Sequence, residues 1–221
     1  MKLMLNALTK YLAGVVLVGL LLFPAAGTIF YPNGWRLMAH LFLPMAVFGI
    51  ILFCKAPELP KKRLNGREKQ PEQKRVVALS AFLFVAAFLA AGLDFRFGWT
   101  TVPHSLVVAS SGLLLVSYGL YAEVMRENAY LSRTVEIQEG QKVIDTGLYG
   151  IVRHPMYTDA ILLYLSMPLV LGSWISFAVL LPYPAVIVLR IRNEEAILQE
   201  GLAGYREYQQ KVKYRLIPYL W

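Results

Sequence analysis

The feature that most constrains this chain is a series of apolar runs long enough to cross a bilayer. Residues 8 to 30 form the first, with Gly14, Gly19, Pro24 and Gly27 inside it, and residues 37 to 54, 76 to 93 and 102 to 125 form three more. A helix rises ~1.5 Å per residue, so ~20 residues cross the hydrocarbon core. Within that core a backbone N–H or C=O has no water to bond, which makes each run a helix. Composition agrees: 57% of the 221 residues are hydrophobic and 16% are charged, against ~25% charged in soluble domains. The third run is rich in Ala (78, 81, 86, 87, 90 and 91), and the fourth carries Ser105, Ser110, Ser111, Gly112, Ser117 and Gly119. Small residues of this kind let membrane helices approach closely. Glu123 is read as interfacial. The small residues at the end of the first run, Ala25, Ala26 and Gly27, make no convincing cleavage site, so the run is expected to be a retained span and not a removed signal peptide.

Two shorter runs follow, 155 to 171 and 174 to 191, joined by Gly172 and Ser173. A two-residue joint predicts an antiparallel helical hairpin. Pro168, Pro182 and Pro184 would kink it and leave room for a cavity. The expected fold is therefore all-α: a polytopic integral membrane helical bundle of about five to six membrane helices with a C-terminal cytoplasmic helix. Residues 1 to 125 make a four-span N-terminal region, and 126 to 221 a second region.

The net charge is +8, and its placement sets the orientation. Residues 55 to 75 hold eight Lys or Arg against three Glu. The positive-inside rule puts this loop in the cytoplasm, together with Lys2 and Lys10. It holds no aromatics to stack on bases, so nucleic acid is not an expected partner, while membrane lipids with anionic headgroups are. The localisation expected is a prokaryotic inner membrane. Cys54 is the single cysteine, which excludes an internal disulfide and a cysteine metal cluster. His40, His104 and His154 show no ligand spacing, so no metal is expected. Neither GxGxxG nor a Walker pattern occurs.

Chemistry-bearing residues crowd into Gly147 to Asp159, GLYGIVRHPMYTD. Arg153 and His154 precede Pro155, which suits the first turn of a helix. The free N–H groups of such a turn suit an anionic or hydrogen-bond-accepting ligand. A basic anchor at the bilayer interface, with Tyr at headgroup level, is the plainer reading of the same residues. Past the hairpin, Arg190 and Glu194 are spaced i,i+4 and share a helix face, and Glu195 lies ~100° further round. Taken alone, these residues are read more plainly as a solvated amphipathic helix with ordinary ion pairs. Against that, Arg190 directly follows an apolar run, where charge is costly and usually functional. Both segments also emerge at the same end of one hairpin.

GLYGIVRHPMYTD, then R-x-x-x-E-E-x-x-L, Y-x-x-Y and R-L-I-P, resembles the isoprenylcysteine carboxyl methyltransferase family. That family belongs to a group of integral membrane methyltransferases that includes phospholipid methyltransferases. The resemblance covers roughly residues 126 to 221; the four N-terminal spans match no motif. It implies a helical membrane enzyme that binds S-adenosyl-L-methionine at the cytoplasmic face. Carried over by position, it implies that Gln141, Lys142, Val143, Ile144 and Tyr149 lie along the cofactor. His154, Pro155, Met156 and Tyr157 would wrap it, and Glu194 and its neighbour Glu195 would bind it. Arg190 would sit near the acceptor's carboxylate and Arg153 would orient the site; these two are the candidate catalytic residues. Asp159 stands where the family usually has Gly, and Leu148 where Pro is common.

The implied reaction joins a cationic methyl donor to an anionic acceptor, which a water-poor pocket favours. The protein's task is alignment. Glu194 suits charge-assisted hydrogen bonds, and Arg190 can pin a carboxylate with its planar fork. The expected acceptor is a lipophilic small molecule or a lipidated terminus, such as an isoprenoid-linked carboxylate. An amine acceptor, as in a phospholipid N-methyltransferase, would need a base such as His154 or a glutamate. A non-enzymatic transporter or scaffold is the alternative from another class, although the paired broken segments of a transporter are missing.

Overall fold

The structure is a computed structural model, and it describes residues 2–55, 70–132 and 134–221. Most of the expected basic loop, residues 56–69, lies outside the described residues. The elements are α1 (Lys2–Ala26), α2 (Pro32–Lys55), α3 (Pro71–Phe97), α4 (His104–Glu127), a 3-10 turn (Gly147–Gly150), α5 (Pro155–Leu171), α6 (Trp174–Leu180), α7 (Tyr183–Gly201) and α8 (Tyr205–Lys211).

Proline and glycine set several boundaries. Pro32, Pro71 and Pro155 each open a helix at a position whose N–H would have no partner anyway. Gly98 and Gly172 close α3 and α5 in the left-handed region, at φ of 63° and 82°. Helix α3 therefore starts before the apolar run at 76. Residues 71–75, expected to be loop, form its first turns, with Glu72 placed favourably at the N-terminus. The run 174 to 191 is divided instead of kinked: α6 ends at Leu180, and α7 begins beyond Leu181 and Pro182. Helix α7 then continues well past its apolar part, carrying Arg190, Glu194 and Glu195 on one rigid rod.

Among the described residues, five segments are long and apolar enough to span a membrane: α1 to α4, and Trp174–Gly201 taken together. Helix α5 is shorter, at 17 residues, or about 25 Å. The protein is a multi-pass helical membrane bundle. Helices α1 and α3 pack together, α4 lies along α5, and α3 also contacts α6 and α7. One core cluster joins α1 to α5 through Leu22, Leu37, Ala91, Leu114 and Val170. A second joins α3, α5 and α7 through Leu83, Tyr157, Val186, Ile187 and Ile191.

At one end of the bundle the turns interlock around Asp94. Its carboxylate accepts hydrogen bonds from the Thr100 N–H (2.7 Å) and hydroxyl (2.5 Å) and from the Ser173 hydroxyl (2.5 Å). The Tyr31 hydroxyl donates to the Leu171 carbonyl at 2.6 Å. Trp35, Trp99 and Trp174 are exposed around this end, an interfacial aromatic belt. At the opposite end lie Lys55, the start of α3, the end of α4, the start of α5 and the end of α7. There the Gln73 side chain donates to the Arg190 carbonyl at 3.3 Å.

Gly92 lets α3 approach α1 closely. A Cβ built there would lie 2.6 Å from Ala25 Cβ, 2.7 Å from Leu22 O and 3.0 Å from Ala26 N. Two of these are backbone atoms, which cannot rotate away. Gly92→Leu is expected to force α1 off α3 and destabilise the fold by about 3 kcal/mol or more, at or above the usual overpacking penalty. Thermal denaturation in detergent checks this, and an unchanged midpoint would mean that α1 is not packed in this way.

Candidate active site

The site lies at the end of the bundle opposite the tryptophan belt. Its floor is built by ion pairing. Arg153, just before α5, is buried and donates from Nε to Glu195 Oε1 at 2.7 Å. Its Nη1 donates to the carbonyls of Val212 (2.7 Å) and Lys213 (2.9 Å). The ring nitrogen Nε2 of His154 lies 3.2 Å from the same Glu195 oxygen. Arg215 Nε donates to the other oxygen, Oε2, at 2.9 Å. The backbone strengthens this clasp: the Arg153 N–H donates to Tyr214 O and the His154 N–H to Arg215 O, both at 2.9 Å. One carboxylate thus gathers the start of α5, the end of α7 and the C-terminal strap, residues 212–221.

Above the floor, Tyr157 links two charged residues of α7. Its hydroxyl donates to Glu194 Oε2 at 2.5 Å and accepts from Arg190 Nε at 2.7 Å. The Arg190 guanidinium carbon also lies 5.7 Å from the Tyr157 ring centroid, within cation–π reach. Sequence spacing puts Arg190 and Glu194 one turn apart, and Pro155 sets the register that brings Tyr157 between them.

The third wall is the connector after α4, which runs to the 3-10 turn with turns at 129–130 and 139–140. Gly147, at φ 52°, lets the chain pass Glu127, where a Cβ would meet the Glu127 carboxyl carbon at 2.8 Å. The Thr146 hydroxyl donates to Glu127 Oε2 at 2.6 Å, and Asn128 Nδ2 donates to the Tyr149 hydroxyl at 3.0 Å. The Tyr208 hydroxyl donates to Tyr149 O at 2.7 Å. Lys211 binds Asp145 at 2.6 Å, and that hydrogen bond holds the Asp145 carboxyl below its usual range. Ile137, Val143 and Leu198 pack against Leu202, Tyr205, Tyr208 and Val212.

These walls enclose a cavity with about 880 Å³ of empty space, counting its open mouth. Gln141, Lys142, Val143, Ile144, Tyr149, Arg153, His154, Met156, Tyr157, Arg190 and Glu194 all line it. Pro155 and Glu195 are buried and do not; Pro155 opens α5, and Glu195 lies beneath the wall in the clasp described above. Asp159 is also buried and outside the cavity lining, and its Oδ1 has no hydrogen-bond partner among the described residues. No cluster of three or more His, Cys, Asp or Glu able to hold a metal occurs among the described residues. Sequence reasoning gave no role to the first part of the connector, including Asn128, Ser132 and Thr134, nor to Leu198, Leu202, Tyr205 and Tyr208, which line the cavity as well. The Y-x-x-Y spacing of Tyr205 and Tyr208 was the available signal for the last two.

Two comparisons bear on this site. A curated Delta(14)-sterol reductase of Mus musculus is 32% identical over 91 residues, covering 40% of this chain and 22% of that protein. The chain thus spans about a fifth of the length of that relative. The family model that matches covers residues 105–200, from the start of α4 to the end of α7, and so includes the connector, Arg153 to Tyr157, Arg190, Glu194 and Glu195. Over those residues the chain carries the pattern of the isoprenylcysteine carboxyl methyltransferase family.

Proposed function

We propose that this protein is an S-adenosylmethionine-dependent methyltransferase acting on a lipophilic acceptor, an isoprenoid-linked carboxylate or similar, at the cytoplasmic face of the membrane. One observation carries the reading: Tyr157 joins Arg190 and Glu194 on one wall of the cavity, inside the segment that matches the family. The cavity's chemistry fits the cofactor. One part is ionic, with Arg190, Glu194 and His154, and another is apolar, with Val143, Leu198 and Leu202. A zwitterionic amino acid suits the first and a nucleoside the second. The buried Tyr205 hydroxyl, which has no hydrogen-bond partner among the described residues, adds a polar group still to be satisfied.

S-adenosylmethionine supplies a methyl group carried on a cationic sulfur. The chain's own residues supply position and exclusion of water. Glu194, half-buried, offers a carboxylate to ammonium or hydroxyl groups. Arg190 lies one turn nearer the apolar part of α7, where a lipid-borne acceptor would arrive, and its guanidinium can hold a carboxylate in the plane of its fork. Tyr157 fixes both side chains, so the two ligands would meet in a set geometry. The cytoplasmic assignment rests on charge: the chain leaves α2 and re-enters α3 at the cavity end, and residues 55 to 75 between them are strongly basic. The likeness to a sterol reductase supports a bulky, apolar substrate reached from the bilayer.

Incubating the purified protein with labelled cofactor and either total membrane lipid or prenylated carboxylates, followed by mass spectrometry, tests the reading. A methylated lipophilic product supports it, and a methylated phospholipid amine would move the acceptor class. No transfer to any lipid would remove it. Arg190→Lys keeps the charge but loses the fork, so turnover should fall about tenfold or more while cofactor affinity changes little. A parallel loss of cofactor affinity would place Arg190 in the cofactor site instead.

A further inference from the structure

Two tyrosines three residues apart line the same cavity and are treated differently by the fold. Tyr208 donates its hydroxyl to the Tyr149 carbonyl, so it is a strut between α8 and the 3-10 turn. Tyr205 is 4% exposed, yet its hydroxyl has no hydrogen-bond partner among the described residues. Folded proteins rarely leave a buried hydroxyl unpaired, because the group gives up water and gains nothing. Here the ring belongs to the apolar cluster of Leu202, Val143 and Leu198, which also faces the cavity. The ionic residues Arg190 and His154 line the cavity through other elements.

We infer that the Tyr205 hydroxyl is a ligand-binding group that hydrogen-bonds the nucleoside part of the molecule held in this cavity, a reading that rests on the function proposed above. An apolar flank with one polar tip is what a nucleoside needs: faces to pack, and a base or ribose edge to bond. Burial, with Glu195 and Glu194 nearby, pushes the phenol pKa up. The hydroxyl therefore keeps its hydrogen and can donate to a ring nitrogen or ribose oxygen, or accept from an amino group. The role is specific to Tyr205, since the hydroxyl of Tyr208 is already engaged.

An unpartnered hydroxyl makes an unusual prediction. Tyr205→Phe should leave the thermal midpoint of the ligand-free protein unchanged or higher, because it removes a buried polar atom that nothing satisfies. Tyr208→Phe, which cuts a made bond, should lower it. Calorimetric binding should then show Tyr205→Phe weakened about three- to tenfold for S-adenosylhomocysteine, the worth of one hydrogen bond. The same loss is expected for 5′-methylthioadenosine, which keeps the nucleoside and lacks the amino-acid end. Wild-type affinity for both ligands would overturn the inference. So would a loss confined to S-adenosylhomocysteine, which would assign the hydroxyl to the amino-acid end. A lowered ligand-free midpoint would also overturn it, by revealing an internal partner. If the folded wild type bound neither ligand, the methyltransferase reading itself would fall and this inference with it, an outcome distinct from the other three.

Discussion

Glu195→Ala is expected to destabilise the protein by about 3–5 kcal/mol, the usual consequence of removing one member of a buried ion pair. Glu195 is 3% exposed and Arg153 7%. Without the carboxylate, the Arg153 guanidinium would stay buried with only the Val212 and Lys213 carbonyls to receive it. Arg215 and His154 would lose the same partner. Because this carboxylate gathers α5, α7 and the C-terminal strap, the cavity should open as stability falls. Arg215→Ala should cost much less, since that side chain is 34% exposed and its pairing is partly screened. Thermal denaturation in detergent of both variants checks the order. Equal midpoints would mean that the clasp is not a structural centre.

Glu194→Gln should behave in the opposite way, with little effect on folding and a large one on binding. The amide keeps an oxygen that can accept from the Tyr157 hydroxyl, so the wall stays in place. The charge and one acceptor oxygen are lost. A charge-assisted hydrogen bond to the cofactor contributes ~1.5–3 kcal/mol, so affinity should fall roughly ten- to hundredfold. A surface ion pair would contribute only ~0.2–1 kcal/mol. The contrast between neighbours is diagnostic: 194 faces the cavity and 195 faces the clasp, as their ~100° separation on a helix requires.

The resemblance put both Glu194 and Glu195 on the cofactor, and the structure separates them; much of the helical frame, by contrast, was legible in the sequence. Pro155 and Gly172 bracket α5 at its observed ends because one lacks an N–H and the other tolerates positive φ. Arg190 and Glu194 share a wall because i,i+4 is one turn. The connector was not legible in the same way. Residues 128 to 146 have no sustained period, and their path is set by distant partners: Glu127 for Thr146, Tyr149 for Asn128, Lys211 for Asp145. The use of Arg153 was hidden for the same reason. Backbone carbonyls receive its Nη1, and carbonyls carry no residue type to read. The early start of α3 was obscured because Lys74 and Arg75 look like loop residues, although they sit in helical turns opened by Pro71.

The most direct test is calorimetric titration of S-adenosylmethionine into folded, detergent-purified wild type and Glu194→Gln. The expected result is saturable one-site binding to the wild type, weakened about ten- to hundredfold in the variant at an unchanged thermal midpoint. Absence of binding to the folded wild type, or equal binding to both proteins, would contradict the assignment of this cavity to the cofactor.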